Sequence, residues 1–424
     1  MALEPRKKYA IVIPDGGGDV YRERGRSPLA MAHTPYSDFI AREGIGGLMQ
    51  TLYPELPKES IVAQLGMLGW DPRRYYPNGR ASCELLALES ICLEDGDLAF
   101  RANLVRMDGP ILASYNADYI FSEKAMPLIE RLNRELGRDF PNFELYHNSD
   151  FRNTLVMRGV DVDPSYLRCP EPHESHGVEF DLDTLISGVN SAGRELAARI
   201  NHYLKRCAQL LRSEPANMIF PWSPSRVLRL PAFNEHTRFE GKVALIGCMD
   251  FLHGIARAGG VSSFKVGNGR PDTDYAAKGA KTIDLLSHGF DFVICHVNAP
   301  DEASHMGNLA LKLKSFEEID KYIVEPIVKY FQSHFEELGG VMIVPDHYTN
   351  HTAVRDNSTR LDAHSSHPVP FALWNGHERD ATQSFSEDAV LSGKFGKEPV
   401  SHLDLLRLLG VSRSGRPRAA GRTP

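Results

Sequence analysis

Five short apolar runs recur along the chain, and each is followed within three residues by Pro, Gly, Asn or Asp. They lie at residues 9–13 (YAIVI), 243–247 (VALIG), 292–297 (FVICHV), 341–344 (VMIV) and 369–374 (VPFALW). Short runs of β-prone residues bounded by turn signals are typical of strands that are fully buried in a sheet. The pattern therefore predicts five buried strands.

Helical patterns lie between several of these runs. Residues 275–287 and 309–339 repeat apolar positions at the i, i+3 and i+4 spacing of an amphipathic helix. A third helix is predicted over 182–211, within a middle region whose pattern is otherwise mixed. Strands that alternate with helices predict an α/β fold with a parallel, doubly wound sheet.

The change of pattern in the middle of the chain predicts two domains and a tail. We expect a discontinuous sheet domain over residues 1–96 and 234–411, with residues 97–233 inserted as a second, smaller domain. The loop-like segments RCPEPHESHG and PWSPSRVLRLP flank the long helix of that insertion. Residues 412–424 are basic and rich in Gly and Pro, which predicts a disordered tail.

Composition excludes several classes of partner. Of the 424 residues, 42% are hydrophobic and 24% are charged, which suits a globular chain with a sizeable core. A net charge of -7 gives no general attraction for nucleic acid or an anionic membrane, so an anionic ligand needs local cations or metals. No stretch approaches the ~20 apolar residues of a membrane span. Six scattered cysteines without a CxxC pair favour reduced thiols and a cytoplasmic location, while the oligomeric state stays open.

Residues of the kind that bind metals cluster next to the predicted strands. They are Asp15, Asp301, His305, Asp346, His347 and His364. Five of them follow a strand, and His364 alone precedes one. Because ligands bind outside the carboxyl ends of parallel strands, we expect these side chains to converge at one edge of the sheet. Mixed carboxylate and imidazole sets suit Zn²⁺ or Mn²⁺, whereas a pure Mg²⁺ or Ca²⁺ site needs more oxygen ligands.

Each of these residues also has an ordinary structural explanation. Asp15 alone could be a turn or cap residue. The adjacent Asp346 and His347 could be solvated surface residues, and Asp301 and His305 could share one exposed helical face. Independent solvated residues, however, have no reason to recur at the same end of successive strands. The combination therefore favours a metal site.

Ser60 is the candidate nucleophile. Two neighbouring metals would polarise a phosphate and lower the pKa of a coordinated hydroxyl, which makes a serine a competent nucleophile at neutral pH. Ser60 lies in KESIVAQLGMLGWDP (58–72) and is predicted to open a helix, where unpaired backbone N–H groups favour a phosphate. The alternative is that Ser60 serves only as the N-cap of that helix.

Eight segments, taken together, carry a family resemblance. They are IPDGGGD (13–19), HTPYSDFIAREGIGGL (33–48), SIVAQLGMLGWDPRRYYPNGR (60–80), DLAFRANLV (97–105), DTDYAAK (272–278), HVNAPDEASHMGN (296–308), VPDH (344–347) and HSSHPVP (364–370). Their series resembles the archaeal-type, cofactor-independent phosphoglycerate mutases of the alkaline phosphatase superfamily. The resemblance covers nearly the whole chain apart from the tail, and the motifs stand in the family's order. It implies an alkaline-phosphatase-like core that carries a smaller inserted α+β domain.

The resemblance also implies roles for individual residues. Ser60 would be the phosphorylated nucleophile and a metal ligand. One metal would be held by Asp15, Ser60, Asp346 and His347, and the other by Asp301, His305 and His364. His367 stands where the family usually has aspartate, so His364 is the preferred ligand. The metals would be Mn²⁺, with Mg²⁺, Co²⁺ or Zn²⁺ as substitutes, and the substrate contacts would be Arg152, His173, Arg80 and Lys278.

The implied reaction interconverts 3-phosphoglycerate and 2-phosphoglycerate without 2,3-bisphosphoglycerate. Ser60 would take the phosphoryl group, glycerate would reorient between the domains, and the 2-hydroxyl would recover the group while water is excluded. Two features depart from the family pattern. Glu59 and Ile61 flank Ser60 where the family has G-S-D, and residues 221–226 (PWSPSR) lack the expected glycines.

These departures leave three alternative functions open. The first is a related phosphotransferase on the same scaffold, similar to the mutase-like homoserine kinases. The second is a phosphomonoesterase, which would release inorganic phosphate faster than it isomerises its substrate. The third is a non-catalytic metal-binding homologue, against which the complete set of site residues argues.

Overall fold

The chain forms two compact units. The computed structural model describes residues 6–88, 91–352 and 363–412. The first unit consists of the described residues within Met1–Tyr75 and Leu230–Pro424, and the second unit is Tyr76–Arg229. Among the described residues, no helix combines the length and the apolar character that crossing a membrane requires.

The first unit is built on an eight-stranded mixed sheet. In spatial order its strands are Ser262–Lys265, Val243–Gly247, Phe292–Val297, Lys8–Pro14, Leu338–Ile343, Val369–Trp374, Ile45–Gln50 and Phe395–Ser401. Its first five strands run parallel to one another, whereas Val369–Trp374 is antiparallel to both of its neighbours. The predicted α/β class is confirmed, but the sheet is mixed and not purely parallel.

The predicted strands are found with small changes at their ends. The run at 341–344 belongs to the longer strand Leu338–Ile343, and the strand that contains 9–13 is Lys8–Pro14. Every residue of Phe292–Val297 and of Val369–Trp374 is buried, as expected for apolar runs without polar alternation.

Helices of the first unit connect these strands. They are Pro28–Met31, Pro35–Arg42, Ser60–Met67, Pro72–Tyr75, Phe233–Thr237, Asp250–Ala258, Tyr275–Ser287, Ala299–His305, Leu309–Ile319, Glu325–Ser333 and Leu405–Leu409. The prediction of one helix over 309–339 is wrong in two respects. A π-helical turn, Asp320–Val324, interrupts it, and Leu338 already begins a strand that pairs with Lys8–Pro14. Apolar residues continue through both elements, so their spacing does not mark the boundary.

The second unit is an antiparallel sheet with packed helices. Its main strands are Leu98–Asp108, Ile111–Ser114, Phe143–Ser149, Arg152–Met157 and Met218–Arg226, and a small ribbon joins Leu167–Arg168 to Ser187–Gly188. Its helices are Ala81–Leu86, Ser122–Leu136 and Ser191–Leu211. The helix predicted over 182–211 therefore starts later than predicted, because the Asn190 side chain caps it by accepting a hydrogen bond from the Gly193 N–H.

Two details of the second unit differ from the sequence predictions. It spans Tyr76–Arg229 and not 97–233. It begins earlier because the helix Ala81–Leu86 packs on this unit's sheet and the Ser82 N–H donates to Ser225 Oγ (2.8 Å). Residues 221–226, which look like a loop, belong to the strand Met218–Arg226. Among the described strands it pairs only with Leu98–Asp108, so it lies at an edge of the sheet. Proline is tolerated at an edge because one side of the strand makes no ladder hydrogen bonds.

The predicted tail lies almost wholly outside the described residues. Ser412 is described, and its hydroxyl donates to the Thr237 carbonyl (3.3 Å). Residues 413–424, on which the prediction of a disordered basic tail rests, are not described.

Candidate active site

Three neighbouring parallel strands deliver the predicted metal ligands to one edge of the first unit's sheet. The strand Lys8–Pro14 lies between Phe292–Val297 and Leu338–Ile343, and Asp15 follows it directly. Asp346 and His347 follow Leu338–Ile343. Asp301 and His305 lie one turn apart on the helix Ala299–His305, which begins just after Phe292–Val297. The predicted convergence of segments distant in sequence is present.

His364 reaches the same edge because its strand runs the other way. The strand Val369–Trp374 is antiparallel to Leu338–Ile343, so the segment before it lies beside the residues that follow Leu338–Ile343. A short antiparallel ribbon fixes the position further, since Thr349 pairs with His364 and Tyr348 pairs with Ser365. The exceptional placement of His364 in the sequence is therefore a consequence of strand direction.

Asp301 lies between two imidazoles. Its Oδ2 is 3.4 Å from His305 Nε2, and its Oδ1 is 3.4 Å from His364 Nε2. The two Nε2 atoms are 3.1 Å apart. Thr349 Oγ1 donates to Asp301 Oδ1 (2.7 Å), and His364 Nδ1 lies 2.8 Å from the Lys58 carbonyl oxygen. These outer contacts orient the Asp301 carboxylate and the His364 ring so that their remaining donor atoms face one point.

Ser60, His347, Asp15 and Asp346 form the adjoining half of the cluster. Ser60 Oγ is 3.0 Å from His347 Nε2, which is 3.3 Å from Asp15 Oδ1 and 3.7 Å from Asp346 Oδ2. Asp346 accepts hydrogen bonds from the Gly16 N–H (2.9 Å) and from Gln64 Nε2 (3.0 Å). The rings of His347 and His364 have centroids 4.3 Å apart, so the two halves are contiguous.

Ser60 is the first residue of its helix, and it is not the cap. The helix runs Ser60–Met67, and Glu59 occupies the N-cap position with extended backbone angles. The structure therefore contradicts the alternative in which Ser60 serves only as an N-cap. Ile61, one of the departures from the family pattern, is buried in the core of this helix's packing face. Its apolar side chain is explained by packing, and the Ser60 hydroxyl faces His347.

Burial and charge make this cluster unfavourable without a counter-ion. Burial, followed by repulsion from Asp346 and Asp301, raises the pKa of Asp15 well above its ordinary value. Burial also lowers the pKa of His347, which favours a neutral imidazole. Asp15 Oδ1 is buried without a hydrogen-bond partner among the described residues, and it lies 3.3 Å from His347 Nε2. Buried carboxylates that crowd together with imidazole nitrogens are what a divalent cation neutralises, so the residues fit a metal centre.

Gly16 is required where the first loop passes the metal ligands. Its φ is +61°, and an added Cβ would lie 2.5 Å from Thr349 Oγ1 and 2.6 Å from Asp301 Oδ1. A side chain at this position would therefore displace a proposed ligand as well as strain the backbone.

We expect Gly16→Ala to weaken Mn²⁺ binding by at least about tenfold, because it moves Asp301. Gly25→Ala is the matched control, since Gly25 has φ +80° and an added Cβ there would meet no atom of the described residues within 4 Å. Calorimetric titration of both metal-free variants separates the two effects. Equal Mn²⁺ affinity in the two variants would show that the close approach at Gly16 does not matter for the site.

A buried ion pair fixes the loop that carries Asp15. Lys312 Nζ donates to Asp19 Oδ2 (2.9 Å), to the Gly18 carbonyl (3.2 Å) and to the Thr349 carbonyl (2.7 Å). His351 Nδ1 lies 2.9 Å from the same Asp19 oxygen. Lys312 thereby ties the loop after Lys8–Pro14 to the segment after His347, and all three of its ammonium hydrogens have acceptors.

The predicted substrate contacts of the second unit gather around one arginine. Arg101 stacks on Trp222 (4.1 Å to the ring centroid) and pairs with Glu84 (2.9 Å), which also pairs with Arg80 (3.2 Å). Burial, and then the positive charges of Arg80 and Arg152, lower the pKa of Arg101 to about 10 although Glu84 opposes this. Arg101 thus remains a cation at neutral pH within a cluster of positive charge.

His173 belongs to the same neighbourhood of the second unit. Its ring lies 5.2 Å from that of Trp222, and its Nε2 is 3.1 Å from Glu171 Oε2. The hydrogen bond from His173, and then the charges of Arg80 and Arg101, lower the pKa of Glu171 against its burial. Three of the four predicted substrate residues are therefore brought together around Arg101, which sequence reasoning did not select.

Lys278 has a different position from the predicted one. It is fully buried in the first unit, and its Nζ donates to the His296 carbonyl (3.2 Å). A side chain with no exposure that holds a strand carbonyl supports the sheet edge behind the metal ligands. This position favours a structural role for Lys278, and its substrate contact stays a prediction.

Sequence reasoning also passed over Gln64, Lys312 and His296. Gln64 lies one helical turn after Ser60, which is the spacing that places both side chains on one face. His296 is the one polar residue of the apolar run FVICHV (292–297), and it lies five residues before Asp301. A polar residue in a buried strand was the signal that could have marked it as a site residue. Burial lowers the pKa of His296 to about 4, and its imidazole is neutral at physiological pH.

Comparison with known proteins identifies one family of relatives. Residues 41–217 match the family model described as 2,3-bisphosphoglycerate-independent phosphoglycerate mutase. A protein of that name from Methanosarcina barkeri is 32% identical over 407 residues, which cover 93% of this chain and 98% of the relative. A Geobacter sulfurreducens protein, named as a probable enzyme of this kind, is 31% identical and covers 91% of this chain and 95% of the relative.

Two solved structures share the fold. A Pyrococcus horikoshii protein superposes with a TM-score of 0.74 at 23% identity, covering 97% of this chain and 100% of that one. The cofactor-independent phosphoglycerate mutase of Thermoplasma acidophilum superposes with a TM-score of 0.62 at 24% identity, covering 95% of this chain and 99% of that one. With relatives above 30% identity across nearly its whole length, the chain belongs to the family of 2,3-bisphosphoglycerate-independent phosphoglycerate mutases.

Proposed function

We propose that this chain is a divalent-metal-dependent phosphoglycerate mutase that interconverts 3-phosphoglycerate and 2-phosphoglycerate through a phosphoserine at Ser60. The observation that carries the proposal is the position of the Ser60 hydroxyl. It stands at the first turn of a helix, 3.0 Å from His347 Nε2, beside three buried aspartates, the buried His347 and the half-buried His305 and His364. The two sequence relatives above carry the name of this enzyme, the Geobacter protein as a probable one.

Two divalent cations, Mn²⁺ by preference, fit the donor set. We assign Asp15, Ser60, Asp346 and His347 to one ion. The second ion takes Asp301, His305 and His364. His347 also groups with Asp301 and His364, but the distances of its Nε2 to Ser60 Oγ (3.0 Å) and Asp15 Oδ1 (3.3 Å) favour the first assignment. When bound, such ions polarise the phosphate, lower the pKa of the Ser60 hydroxyl and stabilise the attacking and leaving oxygens.

The chain's own residues account for the transfer. Ser60 Oγ forms a bond to phosphorus while the bond between phosphorus and the 3-oxygen of the substrate breaks, and the proton lost by Ser60 is balanced by the one that the 3-oxygen gains. In the return step the 2-hydroxyl of glycerate attacks the phosphoserine and restores the Ser60 hydroxyl. The backbone N–H groups and the dipole at the N-terminus of Ser60–Met67 favour the phosphate on Ser60.

The arginine cluster of the second unit supplies the cations that an anionic substrate needs. A net charge of -7 gives no general attraction for phosphoglycerate, so local guanidinium groups and the metal ions must provide it. Arg152 is exposed and stacks on the Phe151 ring (4.3 Å), which leaves its guanidinium edge available to a carboxylate or phosphate. Arg80, Arg101 and His173 would complete this anion-binding surface.

We expect Arg152→Ala to raise the KM for 3-phosphoglycerate by about tenfold or more, because a hydrogen bond to a charged group contributes about 1.5–3 kcal/mol. Mn²⁺ affinity should not change. Arg134→Ala is the control, since Arg134 is an exposed arginine of the second unit that pairs with Glu135. Steady-state kinetics of both variants test this, and an unchanged KM in Arg152→Ala would remove Arg152 from the substrate site.

The proposed function is tested by a coupled assay with purified protein, Mn²⁺ and 3-phosphoglycerate. Formation of 2-phosphoglycerate and release of inorganic phosphate are measured in the same sample. The proposal predicts isomerisation that far exceeds phosphate release and that stops after chelation and returns with Mn²⁺. Phosphate release in excess of isomerisation would instead indicate a phosphomonoesterase, and no reaction in the folded, metal-loaded protein would contradict the proposal.

A further inference from the structure

His296 is an imidazole for which the described residues provide no hydrogen-bond partner. It lies in the strand Phe292–Val297 and is fully buried. Neither of its ring nitrogens has a hydrogen-bond partner in the described part of the chain. Burying a polar group without a partner is unfavourable, so a group of this kind needs an explanation.

The ring of His296 faces two of the carboxylates described above. Its Nε2 is 3.5 Å from Asp15 Oδ2 and 4.0 Å from Asp346 Oδ2. These separations are long for hydrogen bonds. They match the spacing of about 3–4 Å between donor atoms that surround one cation at bonds of about 2.0–2.2 Å. Asp15, His296 and Asp346 thus form a compact group of potential ligands, all of them buried.

His296 and His347 approach Asp15 from different sides. His347 Nε2 lies 3.3 Å from Asp15 Oδ1, whereas His296 Nε2 is closer to Oδ2. Each carboxylate oxygen of Asp15 therefore lies near the Nε2 atom of a different histidine. A carboxylate can offer both oxygens to cations, so His296 does not compete with His347 for the same position.

The backbone around His296 is held rigidly. His296 pairs with Ile13 in the parallel sheet, two residues before Asp15. Its carbonyl accepts from the fully buried Lys278. A strand residue fixed on both sides presents its ring with little freedom, which is the arrangement that a ligand needs.

We propose that His296 Nε2 is an additional ligand of a divalent cation that is held together with Asp15 and Asp346. The inference rests on the metal centre of the proposed function, and it does not depend on the substrate. The proposed function surrounds Asp15 with three further ligands, which are Ser60, Asp346 and His347. The present inference adds His296 as a fourth.

His402 provides a matched comparison within the same unit. It is also fully buried, and both of its ring nitrogens lack a hydrogen-bond partner among the described residues. Its ring packs against Gly66 and lies 5.2 Å from the ring of Tyr53. A buried imidazole can therefore be a packing residue in this fold. His296 differs in facing two carboxylates of the candidate metal centre.

The first experiment compares Zn²⁺ binding by the wild type, His296→Leu and His402→Leu after removal of metal. Calorimetric titration gives the affinity and the number of ions, and circular dichroism verifies folding. We expect His296→Leu to lose at least about tenfold in affinity, or one bound ion, relative to His402→Leu. Equal affinity and stoichiometry in the two variants would overturn the proposal.

A crystal structure of the Zn²⁺-loaded wild type decides the same point without any variant. The proposal predicts a zinc ion about 2.0–2.1 Å from His296 Nε2. Zinc bound to Asp15 with His296 Nε2 beyond bonding distance would overturn it, whatever the variants show. Because neither readout uses phosphoglycerate, a failure of the mutase proposal and a failure of the His296 proposal are separate results.

Discussion

Ser60→Ala is expected to abolish the interconversion of phosphoglycerates, with a loss in kcat of at least about 10⁴-fold. The hydroxyl is the group that forms the covalent phosphoryl bond in the proposed reaction, and the methyl group of alanine cannot replace it. Steady-state assays in saturating Mn²⁺ measure the loss. Saturation matters because Ser60 is also a proposed ligand, so the variant could otherwise lose activity through a missing ion.

Ser365→Ala is the control for this prediction. Ser365 follows His364 directly, and its hydroxyl lies 2.8 Å from His367 Nδ1, so it is a second serine close to the histidines. We expect it to keep its activity within a few-fold. If Ser60→Ala retained more than a few per cent of wild-type kcat, Ser60 would not be the nucleophile. A larger loss of kcat in Ser365→Ala than in Ser60→Ala would indicate that Ser365 is the nucleophile.

Lys312→Met is expected to lower the free energy of unfolding by about 3–5 kcal/mol, because it leaves the Asp19 carboxylate buried without its partner. Both side chains of this ion pair are fully inaccessible to solvent. The variant also removes the donor to the Gly18 and Thr349 carbonyls. Urea unfolding of metal-free protein measures the effect, with Trp70 and Trp374 reporting on the first unit.

The pH dependence of this variant gives an independent readout. Burial acts to raise the pKa of Asp19, but Lys312 and His351 outweigh it and hold that pKa below its ordinary value. A depressed carboxyl pKa contributes stability above the unfolded pKa of about 3.9, and this contribution is lost as the pH falls toward the folded value. The stability difference between wild type and Lys312→Met should therefore shrink below about pH 4.

The double variant Asp19→Asn/Lys312→Met separates a lost ion pair from a general packing defect. Removal of both charges should restore part of the stability that Lys312→Met loses, because no unpaired charge then remains buried. The destabilisation caused by Asp19→Asn alone is the reference. If Asp19→Asn lowered the free energy of unfolding of Lys312→Met by the same amount as that of the wild type, the ion pair would not be the cause.

The sequence pattern was sufficient for the strands that build the site. The run at 292–297 and the run at 369–374 match the observed strands at both ends. Buried strands carry their signal locally, since nearly every residue is apolar and turn residues follow. Asp15, Asp301 and Asp346 each follow one of the predicted parallel strands. Their convergence could be predicted, because parallel strands end at a common edge of the sheet.

Strand direction could not be predicted in the same way. An antiparallel strand and a parallel strand with both faces buried have the same apolar pattern, so Val369–Trp374 was expected to be parallel like the others. Only the pairing partners determine its direction. His364 was included for its residue type beside a predicted strand, and the family resemblance made it the preferred ligand over His367. Its arrival at the same edge depends on tertiary structure.

Long-range partners were missed for a related physical reason. Lys312 lies on an amphipathic helix whose charged residues are ordinarily solvated, and its burial depends on Asp19, which is distant in sequence. Arg101 lies in the strand Leu98–Asp108, and its stacking on Trp222 requires the pairing of that strand with Met218–Arg226. The prolines in 221–226 made that second strand look like a loop.

The most direct test of the account is the identification of the phosphorylated residue during turnover. Protein with Mn²⁺ and 3-phosphoglycerate is quenched within milliseconds in acid, digested and mapped by mass spectrometry. The account predicts a phosphoryl group on the peptide that contains Ser60, formed and lost at rates at least equal to the rate of isomerisation. Rapid isomerisation with no phosphate on Ser60, or with phosphate on another residue, would contradict it.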